Sequence, residues 1–119
     1  MKNILEEIAA RTRERIAKEK TCISVSELEN RIQEVNKNAR QKITFLQALQ
    51  KDGMSYICEV KKASPSKGLI APDFPYLAIA KEYEQAGASA ISCLTEPFYF
   101  QGADQYLREI SAAVQIPVL

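Results

Sequence analysis

From residue 53 onward the sequence alternates short apolar runs with single segments of helical period, and that alternation limits the folds open to it. Residues 55–61, 90–95 and 116–119 are short and mostly apolar, which is the signature of strands. Within the first, Tyr56-Ile57-Cys58 reads as a buried stretch. Between the strands lie residues 75–86, with Ile79 and Tyr83 one turn apart and Gly87 just past the end, and a segment marked by Leu107, Ile110 and Val114. Strands separated by one helix each pair in parallel through right-handed crossovers. Two architectures satisfy the pattern: a doubly wound sheet, or a piece of a (β/α)₈ barrel. Both place functional loops at the C-terminal ends of strands. No GxGxxG follows the first strand, which counts against dinucleotide binding.

Residues 1–52 have a different character. Asn3 with Glu6, and Ser24 with Glu27, resemble capping boxes. Ile4, Leu5, Ile8 and Ile16 recur at helical spacing to about Lys20, and Val25, Leu28, Ile32 and Val35 mark one face of a second helix. The polar run 36–42 reads as a linker. Thr44 and Gln47 open a third, short helix carrying Phe45 and Leu49, ended by Asp52-Gly53. The expected organisation is a helical extension, 1–52, ahead of strand–helix units, 53–119.

The 119 residues suffice for one modest domain with its own core. Sixteen basic and fifteen acidic residues nearly cancel, which argues against a general nucleic-acid or polyanion binder. No apolar run approaches the roughly 20 residues that span a bilayer. The segment Met1–Glu7 is acidic and amphipathic, without a signal peptide's apolar centre. The expectation is a cytoplasmic protein that binds neither membrane nor nucleic acid. Three cysteines form no CxxC pair and there is no histidine, so a structural zinc site is not expected. Cys58 and Cys93 lie in apolar strand contexts and read as reduced core residues.

Chemistry concentrates after the first strand, in Glu59-Val60-Lys61-Lys62-Ala63-Ser64-Pro65-Ser66-Lys67-Gly68. Glu59 and Lys61 are two apart, so a strand points both side chains the same way. One reading is a solvated ion pair of small energetic weight. The other is a charged pair facing a pocket, where a carboxylate keeps a lysine protonated and aimed, and the lysine donates a proton or holds a phosphate. The Ser/Pro/Gly stretch is by itself ordinary turn composition and lacks Walker spacing. The aromatics Phe98, Tyr99 and Phe100 either pack over the adjacent helix or form the apolar wall of a site for an aromatic substrate.

Taken together these motifs carry a resemblance. The run from Glu59 to Gly68 resembles the first-strand signature of the indole-3-glycerol phosphate synthase family. Ala86-Gly87-Ala88-Ser89-Ala90-Ile91-Ser92-Cys93-Leu94-Thr95-Glu96-Pro97 is similar to that family's second strand and the turn before it. Phe100-Gln101-Gly102 and Tyr106-Leu107-Arg108-Glu109-Ile110 continue the match, and the N-terminal helices resemble the extension ahead of the barrel. The resemblance implies an α/β fold: a partial (β/α)₈ TIM barrel with a helical extension, cut within the third strand.

For function, the resemblance implies a carboxy-lyase of tryptophan biosynthesis. It converts 1-(2-carboxyphenylamino)-1-deoxyribulose 5-phosphate to indole-3-glycerol phosphate, carbon dioxide and water, with no metal or organic cofactor. Lys61 matches the first-strand lysine that contacts the substrate and its phosphate and is a proposed proton donor. Glu59 matches the carboxylate that positions the catalytic lysines. Ser64 and Pro65 match residues lining the anthranilate pocket, and Phe100 an aromatic against the substrate ring. The match departs at two helix starts: Pro75-Tyr76 stands where Asp-Pro is usual, and Ala103 where Ser is usual, with Asp104 in partial compensation. The family's principal acid lysine, base glutamate and most phosphate-binding loops lie past the position of Leu119. Residues 1–119 alone are therefore expected to be inactive and to self-associate, the full-length protein to be a monomeric lyase. The alternatives are a non-catalytic folding or assembly fragment, or another phosphate-binding barrel such as phosphoribosylanthranilate isomerase.

Overall fold

The structure is a computed structural model and describes residues 3–39 and 42–119. Expectations for Met1, Lys2, Arg40 and Gln41 fall outside the described residues. The chain forms two compact units, Met1–Gln41 and Lys42–Leu119. Among the described residues no helix is long and apolar enough to cross a membrane.

The first unit is two helices, α1 (Ile4–Cys22) and α2 (Val25–Asn38). Each begins where a side-chain oxygen satisfies a backbone N–H that the helix leaves unbonded. Asn3 Oδ1 accepts from the Leu5 amide at 3.0 Å, and Ser24 Oγ from the Glu27 amide at 3.2 Å. Residues 36–38, read from sequence as the start of a linker, are the last turn of α2. Neither helix contains a buried residue.

The second unit opens with α3 (Phe45–Leu49), where the full reciprocal capping box forms between Thr44 and Gln47. Two parallel strands follow, β1 (Ile57–Val60) and β4 (Ala90–Cys93), paired Ile57–Ala90 through Val60–Cys93. Between them lie a small antiparallel hairpin, β2 (Ala63–Ser64) with β3 (Gly68–Leu69), and helix α4 (Tyr76–Gln85). Helix α5 (Asp104–Ala113) returns the chain for a third parallel segment on the far side of β4. There Val118 bridges Ile91, the Ile91 amide donates to the Pro117 carbonyl at 3.0 Å, and the Cys93 amide donates to that of Leu119 at 2.8 Å. The parallel pairing expected from the strand–helix alternation is what forms, with each new strand beside the previous one.

Alternation decides what each strand buries. Val60, Ile91 and Cys93 join Ala80 of α4, Ile110 of α5 and Val114 just past its end in the core. Ile79 and Tyr83, the pair one turn apart, pack against it, as do Leu107 and Ile116. Burying a side chain such as Ile91 or Ile110 is worth about 1.5–3 kcal/mol. The opposite sheet face carries Ile57 and Glu59, and here the sequence reading needs correction: Tyr56 is 58% and Ile57 49% exposed. Helices cover one face of β1 only, so Ile57 and Glu59 on the other face stay open; Tyr56, just ahead of the strand, is exposed as well. Cys93 is buried and Cys58 half-buried, both as free thiols.

Helices α4 and α5 start without a side-chain cap, at Pro75 and Ala103. Asp104 sits in the first turn of α5, where the helix dipole favours a carboxylate. Glu84 near the end of α4 reaches the start of the third parallel segment, where its Oε1 accepts from the amides of Gln115 and Ile116 at 2.6 and 3.2 Å.

Candidate active site

Because Val60 is drawn into the core, Glu59 and Lys61 must leave β1 on the other side. They meet there: Lys61 Nζ lies 2.7 Å from Glu59 Oε1. Both side chains are partly exposed, so the pair contributes only about 0–1 kcal/mol to stability. Folding therefore gives little reason for an aimed amine and carboxylate at the C-terminal mouth of a strand. The backbone beneath them is tied down by the Tyr83 hydroxyl, which donates to the Glu59 carbonyl at 3.0 Å.

The chain then turns back on itself. Residues 62–73 read from sequence as loop, yet they contain the β2–β3 hairpin, closed by the Ile70 and Ala71 amides donating to the Lys62 carbonyl at 2.8 and 3.1 Å. The signal was present: turn residues Pro65, Ser66 and Lys67 end at Gly68, whose φ of 64° is the left-handed conformation a tight hairpin requires. Ser64 is buried and its Oγ accepts from the Lys67 amide at 3.2 Å. Its hydroxyl shapes the turn, and the Ser66 hydroxyl lies 3.5 Å from it. Pro65 and Lys67 are exposed.

The second loop leaves from the same end of the sheet. The Leu94 amide donates to the Val60 carbonyl at 3.2 Å, so the backbones depart β1 and β4 side by side. Sequence reading picked out the aromatics of this loop and missed the residue that organises them. Glu96 accepts from the Phe98 amide through Oε1 at 3.0 Å, and from Tyr99 and Phe100 through Oε2 at 2.6 and 3.1 Å. The available cue was a carboxylate two to four residues ahead of those amides, before Pro97. Gln101 adopts a positive φ of 49°. At Gly102 a Cβ would stand 2.2 Å from the Leu94 carbonyl oxygen, so only glycine lets the loop pass that close to the strand end. Phe98 is exposed; Tyr99 and Phe100 are half-buried.

Glu59 and Lys61 are thus in contact, while Ser64, Pro65 and Phe100 come from two loops at the same strand ends. Burial pushes the Cys93 thiol up, away from the reactive thiolate. Among the described residues no three His, Cys, Asp or Glu side chains converge as metal ligands do.

A parallel sheet with helices over one face, and a charged pair and two loops at its C-terminal edge, defines an α/β protein built of strand–helix units whose loops gather at the strand ends. The chain belongs to the indole-3-glycerol phosphate synthase family, whose model matches residues 5–119. It is 50% identical over 116 residues to the indole-3-glycerol phosphate synthase of Lacticaseibacillus paracasei, covering 98% of this chain and 44% of that protein. Those of Ruminiclostridium cellulolyticum and Endomicrobium trichonymphae are 49% and 51% identical, with the same coverage. The chain therefore spans less than half the length of these relatives.

Proposed function

We propose that the 119 residues are the N-terminal part of an indole-3-glycerol phosphate synthase. In this reading the extension 1–52 precedes the first units, 53–119, of a (β/α)₈ barrel. The full-length protein would be a monomeric cytoplasmic carboxy-lyase of tryptophan biosynthesis. Its substrate is the phosphorylated, anthranilate-derived 1-(2-carboxyphenylamino)-1-deoxyribulose 5-phosphate. The ring carbon bearing the carboxylate attacks the ribulose carbonyl, carbon dioxide leaves, and loss of water completes the indole.

The observation that carries this reading is the Lys61–Glu59 pair at 2.7 Å, at a strand mouth, in a chain of this family. In this reading Lys61 holds a phosphate oxygen or protonates the carbonyl oxygen as carbon–carbon bonding proceeds. Glu59, 2.7 Å away, fixes the direction of its amine. Ser64 and Pro65 line the pocket for the anthranilate ring and Phe100 packs against it. The acid and base that complete the reaction belong to strands beyond Leu119, so residues 1–119 alone should turn over no substrate.

The test is product formation by the full-length protein carrying this sequence. Lys61→Ala should lower kcat/KM about a hundredfold or more, the scale of losing a proton-transfer group. Glu59→Gln should lower it less, with unchanged circular dichroism in both. A full-length protein that forms no indole-3-glycerol phosphate would sink the proposal.

A further inference from the structure

The loop from β4 to α5 is closed twice by one residue. Through its side chain Glu96 accepts from three consecutive amides, those of Phe98, Tyr99 and Phe100. Through its main chain it accepts from the Gly102 amide at 2.8 Å. Consecutive N–H groups in a turn form a concavity that attracts anions, and this chain fills it with its own carboxylate. Bonds of this kind, neutral donor to charged acceptor, are about twice as strong as neutral ones. The carboxylate offers about four acceptor positions and three are taken. It is thereby occupied with backbone rather than turned toward the strand mouth as a free carboxylate.

We propose that Glu96 is a positioning residue of the candidate site: its carboxylate fixes the turn that carries Phe100. Gln101 and Gly102 set the loop's far end through their backbone conformations, and Glu96 sets the near end. Without it three amides in a row lose their acceptor and the turn that presents Phe100 loses its single shape. The role in binding rests on the lyase reading above; the ordering of the loop does not.

Two measurements separate these. In the 119-residue chain, Glu96→Ala should speed hydrogen exchange of the Phe98, Tyr99 and Phe100 amides about tenfold or more, leaving the sheet amides of Ile91 and Cys93 unchanged. Glu96→Gln keeps one acceptor oxygen and should fall between. Loop amides exchanging at the wild-type rate in both variants, or loop and sheet amides accelerating together in both, overturns the proposal. In the full-length protein, Glu96→Ala should raise KM about tenfold with kcat within about twofold, and Glu96→Gln should recover part of the loss. An unchanged KM overturns the positioning role. A wild-type protein that forms no product removes the lyase reading and the binding role with it, while the exchange data still decide whether Glu96 orders the loop.

Discussion

The helices of the first unit and α4 and α5 of the second are made by opposite means. In the first, α1 and α2 are long, 19 and 14 residues, and well capped at Asn3 and Ser24, yet bury nothing. Val25, Leu28, Ile32 and Val35, the whole apolar stripe of α2, are exposed. In the second, α4 and α5 have 10 residues each and no side-chain cap, yet place Ala80 and Ile110 in a core where both are fully buried. Caps settle where a helix begins; burial is what holds it, since isolated helices of this length are marginal in water.

The largest test of that contrast is in the core. Ile91→Ala should cost about 2–5 kcal/mol, the range for emptying a packed site. Ile32→Ala, on a side chain 56% exposed, should stay within about 0.5 kcal/mol. Thermal unfolding of the two variants measures both, and equal losses would erase the distinction. Next come the caps. Ala103→Ser should gain, and Asn3→Ala lose, about 0.5–2 kcal/mol of helix stability. Circular dichroism and denaturant midpoints report the change, and a neutral Ala103→Ser would mean that Asp104 already serves the helix start.

The smallest effect is electrostatic. The Tyr76 hydroxyl donates to Glu109, and that bond, helped by the Gln105 amide, holds the Glu109 carboxyl below its ordinary range. The stability it brings is present above the unfolded-state pKa and is lost as pH falls through the lowered folded value. The same bond raises the Tyr76 hydroxyl, whose contribution is present below its unfolded pKa and lost as pH rises through the raised one. Tyr76→Phe should move the Glu109 titration upward in carboxyl-detected NMR; an unmoved titration would assign the shift to another partner.

What the sequence made legible was local or periodic. Asn3, Ser24 and Thr44 announced helix starts because a cap acts over two or three residues. Ile79, Tyr83, Leu107, Ile110 and Val114 announced buried faces because a helix repeats every 3.6 residues. The shared direction of Glu59 and Lys61 followed from strand alternation. The apolar run at Tyr56 and Ile57 misled, since hydrophobicity reports a preference for burial and not whether a covering surface is there. Glu96 and Glu84 escaped notice because an acidic side chain bonded to backbone looks, in sequence, like any solvated one.

Glu84 has a consequence for recombination among relatives. It lies in α4 but serves amides 31 and 32 positions later, at the start of the third parallel segment. A chimera joined anywhere between α4 and α5 takes the carboxylate from one parent and its two donors from the other. Because those donors are main-chain amides, such a chimera keeps the brace where the first parent has a carboxylate at 84 and the second keeps the spacing and has no proline at 115 or 116. Crossovers placed before Glu84 or after Ile116 take carboxylate and amides from one parent, while those between depend on the single side chain at 84 and on loop length.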